Sequence, residues 1–321
     1  MTYDRAVNKV SRCVVILSSK SSGSSALQRL LCSGTNARHI EHTRHAESET
    51  LYWTKAASIL GMPQLPLLDS EVPIPAPKAR KDLITLLAQN APEFSAPADA
   101  RTLVLEGWRA LCMHYSPVFV EKSPHHIHQW SCLELMADAA SRMPEIDFRF
   151  IGLVRNPMDA LYSTWSRWRL PPQKIQFEWL EAHQNLLRFK DLVGARMTVV
   201  RYESLAADDG VARELLRSLE IEGTAAGAAA LMHGNSMLKW KRDPRYGFEL
   251  DSSVAALAAE FGYTRDELTN HSSYRWTLHH MLTRAMHLAW FRPIQRARAS
   301  LRRVLRRPQG GPDPPNPPSA T

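Results

Sequence analysis

Three short segments set basic and hydroxyl side chains where a strand gives way to a helix, and each suits an anion. The first is Lys20-Ser21-Ser22-Gly23-Ser24-Ser25. Residues 13–17 before it have the length and β-branched content of a buried parallel strand, and Leu27, Leu30, Leu31 and Gly34 after it keep a helical interval. The opening amides of such a helix have no partner within it and share the positive end of its dipole, so a phosphate fits there. Gly23 allows a close backbone approach, the serines add hydroxyl donors, and Lys20 adds a charge. A nucleoside-triphosphatase loop would need G-x-x-x-x-G-K-[ST], whereas this segment has one glycine and its lysine precedes it.

The second segment, residues 154–163, reads Val-Arg-Asn-Pro-Met-Asp-Ala-Leu-Tyr-Ser. Asn156 is predicted to cap a helix, with Pro157 at its first position and Asp159 placed as in a capping box. Arg155 would then stand at a strand end, with Ser163 two turns along the helix on the face of Asn156. One guanidinium fork and one hydroxyl so placed suit a separate phosphate. In the third segment, Glu121-Lys122-Ser123-Pro124, Lys122 closes a strand just before a helix start. The histidine groups His39/His42/His45 and His125/His126/His128 lack the spacings of zinc sites, and no metal is expected.

Together the three segments resemble the sulfotransferases that use 3′-phosphoadenosine 5′-phosphosulfate. Residues 20–25 are similar to that family's 5′-phosphosulfate loop, and residues 155–163 match its 3′-phosphate motif R-N-P-x-D-x-x-x-S at every fixed position. Glu121 to Pro124 resemble the lysine-bearing strand end of the carbohydrate and tyrosylprotein branches, and Arg201-Tyr202-Glu203-Ser204-Leu205 resembles a further family strand. The Lys-x-His and late Arg-Lys-Gly motifs of the cytosolic phenol and steroid branch are absent, so no catalytic histidine is carried over. The resemblance implies that Lys20, Ser21, Ser22, Gly23, Ser24, Ser25, Arg155, Ser163 and Tyr202 bind the donor, with Lys239, Lys241 and Arg242 as a late basic segment over the nucleotide. It implies that charge on the bridging oxygen falls to Lys20, or to the loop amides and Lys122. It also implies a glutamate base after the second strand. Glu41, Glu47 and Glu49 are available; Glu-Ser-Glu-Thr is most similar to the tyrosyl branch and favours Glu49, with Glu41 and then His42, His45 and His125 behind it.

These residues need a sheet to position them. Strands are predicted within residues 37–43, 117–124, 147–157 and 197–205, alternating with helices, which implies an α/β fold with a central parallel sheet between helical layers; the resemblance implies that this fold is of P-loop-like type. Residues 62–77 are punctuated by proline and are predicted to form a lid or irregular insertion. The expected domain covers residues 1–291. Beyond it, residues 292–307 carry seven arginines and no acid, which accounts for nearly all of the net charge of +8. That segment is read as a basic amphipathic helix, docked on the body or touching an anionic membrane, ahead of a disordered proline-rich tail at 308–321.

At 321 residues, 44% of them apolar, the chain can bury a proper core. No apolar run reaches the roughly 20 residues of a membrane span, and no signal-peptide core opens the chain, so a cytoplasmic location is expected. The four scattered cysteines suit reduced core thiols. The expected activity is transfer of a sulfuryl group to a hydroxyl of a glycan, glycolipid or small alcohol, with no nucleic-acid partner. The alternatives are a non-catalytic adapter that binds an anionic lipid or nucleic acid through the arginine segment, and a small-molecule kinase of the same fold class.

Overall fold

Strand β1 (Ser11–Leu17) is buried on both faces, and its alternate side chains serve different layers. Cys13, Val15 and Leu17 enter one apolar cluster, while Val14 and Ile16 enter another on the opposite face. The computed structural model describes residues 11–45, 47–223, 231–232, 236–272, 278–287 and 289. Among them β1 pairs in parallel with β3 (Val118–Lys122) on one side and β4 (Ile146–Val154) on the other. Strands β2 (Ala37–Arg38) and β5 (Met197–Arg201) extend the sheet to the order β2-β3-β1-β4-β5, all parallel. Parallel pairing brings the carboxyl ends of β1, β3 and β4 to one edge, and the chain changes direction across the sheet at β1. A ligand crevice is expected outside such a switch point.

Helices cover both faces in a three-layer, P-loop-like α/β fold. Helices α1 (Ser24–Cys32), α8 (Tyr202–Ala207) and α9 (Asp209–Ser218) pack on the Val14/Ile16 face. The other face carries α2 (Tyr52–Ile59), α3 (Ala76–Asn90), α4 (Ala100–His114), α5 (Trp130–Arg142) and α7 (Pro172–Val193). Helix α6 (Pro157–Trp168) follows β4, and the short α10 (Lys239–Arg242), α11 (Ser252–Glu260) and α12 (Arg265–Leu268) come later. Cys13, Cys112 and Cys132 are buried, Cys32 is half-buried, and all four are unbridged.

The second strand is shorter than its sequence predicts. Only Ala37 and Arg38 pair with β3. Beyond them side chains take over the backbone: the Tyr115 hydroxyl accepts from the Glu41 amide, and Asn90 takes both the amide and the carbonyl of His42. Residues 62–75 contain neither helix nor strand and run as a strap. Its far end is held by Val72 and Ile74, which pack with Leu51 and Ala79.

By internal contacts the chain divides into Met1–Tyr274 and Arg275–Thr321. The second unit contributes α13 (Leu278–Met286); the basic segment 292–307 and the tail 308–321 lie outside the described residues. Among the described residues no helix is long and apolar enough to cross a membrane.

Candidate active site

The loop after β1 turns through two left-handed residues, Ser21 (φ 64°) and Gly23 (φ 93°). The first bonds of α1 run from the Ala26 and Leu27 amides to the Gly23 carbonyl, so the amides of Gly23, Ser24 and Ser25 stand ahead of the helix ladder. Ser22 turns inward, its hydroxyl 2.8 Å from that of Ser19. Gly23 is required twice over, by its φ and because a Cβ there would lie 2.3 Å from the Tyr202 ring.

Lys122 ends β3, in register with Ile16 of β1, and its side chain is wholly buried. Its ammonium donates to Ser25 Oγ at 2.8 Å and to Glu49 Oε1 at 3.1 Å, joining loop to carboxylate. The residues on either side of Lys122 set this meeting. Ser123 Oγ accepts from the amides of Thr50 and Leu51, and Glu121 Oε1 accepts from the hydroxyls of Thr50 and Ser123. The chain just after Glu49 is thereby tied to the end of β3. Burial pushes the Glu121 carboxyl up, but His126 and the two hydroxyls outweigh it and hold the group below its ordinary value. Glu49 does not cap α2, whose first amides, those of Tyr52 and Trp53, donate to Thr50 Oγ1 and His126 Nε2; its carboxylate faces Lys122 instead.

Arg155 leaves β4 beneath the same loop. Its Nη1 donates to the Ser21 carbonyl at 2.9 Å, its Nη2 to the Ser236 carbonyl at 3.0 Å, and the guanidinium lies over the Tyr202 ring at 4.7 Å. Its Nε is buried and has no hydrogen-bond partner among the described residues. Asn156 caps α6 as expected, accepting from the Met158 amide at 2.9 Å. The capping box does not form. The Asn156 amide donates to Glu203 instead, and Asp159 accepts from the amide of Leu238, a left-handed residue that opens α10. Burial raises the Asp159 carboxyl to about 6, against the lowering pull of Arg155, the Leu238 amide and Lys241.

The other expected site residues are placed as follows. Ser163 is half-buried on α6, and the hydroxyl that reaches the loop belongs to its neighbour Thr164, 3.2 Å from Ser21 Oγ. Tyr202 is buried under the loop and Arg155, with its hydroxyl committed to the Met232 carbonyl, so it supports the site from below. Lys20 leaves the loop in the other direction and donates to the Leu68 carbonyl of the strap at 2.8 Å; burial lowers its pKa. Lys239 and Arg242 are exposed and Lys241 donates to the Asp266 carbonyl; no described contact joins these three to the loop. Glu41 is exposed and pairs with Arg38 at 3.7 Å, and Glu47 is also exposed. Of the histidines behind them, His42 is exposed, His45 lies 3.6 Å from Glu71, and His125 Nδ1 is 4.0 Å from Glu49 Oε2.

Three strand ends thus converge on one loop: β1 delivers the amides, β3 a lysine paired with a carboxylate, and β4 an arginine. A family model for sulfotransferases matches residues 13–225, which takes in all three. The chain belongs to the sulfotransferase family. Among solved structures, this sulfotransferase is similar to the sulfotransferase domain from the curacin biosynthetic pathway, at 18% identity and a TM-score of 0.46, over 78% of this chain and 97% of that one. It is also similar to the sulfotransferase domain of the Synechococcus PCC 7002 olefin synthase, at 17% identity and a TM-score of 0.47, over 79% and 95%. No curated protein matches it.

Several residues that shape this sulfotransferase's site escaped the motif reading. Glu121 and Ser123 flank Lys122 in the third motif without a role of their own there, and with Thr50 they form the anchor behind Glu49. Glu203, which holds Asn156, also accepts from the Tyr263 hydroxyl and so depends on a contact from far along the chain. Gln129 and Glu178 grip the strap: Gln129 bonds both the amide and the carbonyl of Leu65, and Glu178 accepts from the Leu68 amide.

Proposed function

We propose that this sulfotransferase moves a sulfuryl group from 3′-phosphoadenosine 5′-phosphosulfate to a hydroxyl acceptor, with Glu49 as the base. The observation that carries the reading is the Lys122 ammonium, wholly buried and shared between Ser25 of the loop and Glu49. A cation at a helix start meets an anion's growing charge, and a carboxylate beside it meets a hydroxyl that must lose its proton.

The residues present fit the donor. The forward amides of residues 23–25 suit the 5′ side, and Arg155 Nε, without a partner among the described residues and on a guanidinium tied to the same loop, suits the 3′-phosphate. When bound, the donor would supply an activated sulfuryl group and would leave as 3′,5′-diphosphoadenosine. The protein's share is positioning and charge, as in phosphoryl transfer. Lys122 and the loop amides stabilise negative charge that develops at the loop. Glu49 accepts the acceptor's proton, a contribution of roughly 10²–10⁴-fold. The Ser123 and Glu121 anchor keeps Glu49 from turning away. Lys20 serves the loop only after releasing Leu68.

The test is direct. The purified chain is incubated with the sulfate donor and a panel of alcohols, and sulfated products and 3′,5′-diphosphoadenosine are quantified by mass spectrometry. Binding of 3′,5′-diphosphoadenosine is measured in parallel, with magnesium and ATP as the comparison. Binding of the diphosphate without metal, together with donor-dependent product, supports the reading; preference for magnesium-ATP overturns it.

A further inference from the structure

Beside the backbone of Glu49, the residues that follow β2, the strap, α2 and α3 enclose a cavity of about 130 Å³. Its wall is charged, with Arg44, His45, Lys55 and Lys78 set against Glu71 and Asp82. Thr43, Thr85, Gln89 and the apolar Leu86 complete it. The wall also grips the backbone of the proposed base. The Thr43 hydroxyl donates to the Glu49 carbonyl at 2.6 Å, and the Lys55 ammonium donates to the Thr50 carbonyl at 2.5 Å.

The charges do not balance. Asp82 takes Arg44 on one oxygen at 2.6 Å and Lys78 on the other at 2.8 Å. Glu71 takes Lys78 on one oxygen at 2.8 Å and faces His45 with the other at 3.6 Å. Both acids are thus engaged. Lys55, only 6% exposed, is left with a carbonyl and with no carboxylate of its own among the described residues. An ammonium carries three N–H donors, so two of these remain for a ligand. A buried cation without a counter-ion is costly. Burial accordingly lowers the Lys55 pKa to about 8; Asp82 and Glu71 oppose the fall, and Lys78 and Arg44 add to it. At pH 7 the group is still charged. Burial also lowers the His45 pKa, with Lys55 adding to the fall and Glu49 opposing it, so this ring is neutral at ordinary pH and lies in the field of both groups.

Arg44, Lys55 and Lys78 against Glu71 and Asp82 leave one positive charge in excess, which a monoanion cancels. A doubly charged phosphate would set a second negative charge against the two acids. At roughly 30 Å³ per water the cavity has room for about four waters, or for a carboxylic acid of a few carbons. We infer that this cavity receives the acceptor, and that the acceptor is a short hydroxy acid whose carboxylate meets Lys55 and whose hydroxyl lies toward Glu49. The inference rests on the sulfotransferase reading for the hydroxyl's fate. The hydroxyl oxygen bonds to sulfur as sulfur's bond to the phosphate oxygen breaks, the electron pair leaves with 3′,5′-diphosphoadenosine, and the proton passes to Glu49.

The test is a ligand-observed NMR titration of the full chain with 4-hydroxybutyrate, butyrate and 1,4-butanediol, with calorimetry of 3′,5′-diphosphoadenosine and a sulfation assay alongside. Both carboxylates should bind saturably at pH 7, and the diol should not. Lys55→Met keeps the length and removes the charge; it should weaken 4-hydroxybutyrate at least tenfold and leave diphosphoadenosine affinity within about twofold. Asp82 and Glu71 raise the Lys78 pKa, so Lys55 is the cavity group that loses its charge between pH 7 and pH 9. Wild-type affinity for butyrate should therefore fall about tenfold over that range. Absent carboxylate binding, diol binding as tight as that of 4-hydroxybutyrate, a flat pH profile, or a folded Lys55→Met that binds normally each overturns the inference. If Lys55→Met does not fold, the pH profile of the wild type decides. Carboxylate binding without sulfation of 4-hydroxybutyrate, in a chain that binds diphosphoadenosine, overturns the acceptor assignment. Failure of diphosphoadenosine to bind would sink the sulfotransferase reading and leave the carboxylate titrations to judge the cavity.

Discussion

The Lys122 ammonium meets the Glu49 carboxylate at 3.1 Å, with Lys122 wholly buried and Glu49 at the edge of solvent. A buried cation needs its partner, and a base needs to be close to where charge is neutralised; one pair meets both demands. Glu49→Gln keeps the shape and an oxygen for Lys122 but removes the basicity. It should preserve diphosphoadenosine binding and lower turnover by roughly 10²–10⁴-fold. Lys122→Met should lower turnover too, and the double variant should lose far less than the sum of the singles, because the two groups act together. Normal turnover in Glu49→Gln would remove the carboxylate from the chemistry.

Arg155 holds the loop as well as facing a phosphate, since its Nη1 donates to the Ser21 carbonyl. Arg155→Lys keeps the charge but cannot reproduce the fork. Hydrogen bonds to charged groups contribute about 1.5–3 kcal/mol. Diphosphoadenosine should therefore lose about ten- to hundredfold in affinity, whereas 5′-AMP should lose only what the loosened Ser21 contact costs. Equal losses for both nucleotides, measured by calorimetry, would assign Arg155 to the loop alone.

The parts of this fold legible in the sequence are those written by local pattern. The apolar run 13–17, Gly23, the Arg155 to Ser163 motif and the Lys122 strand end all announce themselves within a few residues. What was not legible depends on partners distant in sequence. The second strand stops early because Asn90 and Tyr115 capture its backbone, and neither can be seen from residues 37–43. Asp159 follows Asn156 at capping-box spacing but is drawn to Leu238, 79 positions away. Lys20 looked like a phosphate ligand by adjacency, and the strap, which no sequence period describes, supplies its partner. The residues that grip the strap were unreadable for the same reason.

The strap is fastened by side chains rather than by a ladder, and this makes it separable from the core. Gln129→Ala frees both backbone groups of Leu65, and Glu178→Ala frees the Leu68 amide. Each net hydrogen bond contributes about 1 kcal/mol, so amide hydrogen exchange over residues 62–70 should quicken about fivefold or more in either variant. Exchange in β1 and β4 should not change. If the strap is unaffected in both variants, Val72, Ile74 and Leu67 hold it without help.

Asp159 links the 3′-phosphate motif to the segment that opens α10, and its titration reports on that link. Burial raises its carboxyl to about 6 from an ordinary 3.8; Glu203 adds to the rise, while Arg155, the Leu238 amide and Lys241 oppose it. The folded chain therefore binds this proton more tightly than the unfolded chain does. Its contribution to stability is fully present below about pH 4 and is lost as pH rises through 6, a difference of about 3 kcal/mol at 1.36 kcal/mol per unit. Asp159→Asn keeps an oxygen for the Leu238 amide and cannot ionise. Chemical denaturation of both proteins from pH 4 to pH 7 isolates this one group, because the other carboxylates cancel in the comparison. The variant should gain on the wild type as pH rises, most of the change falling between pH 4 and 6. A constant difference across that range would mean that Asp159 stays ionised in the fold, and that its second oxygen has a partner in solution.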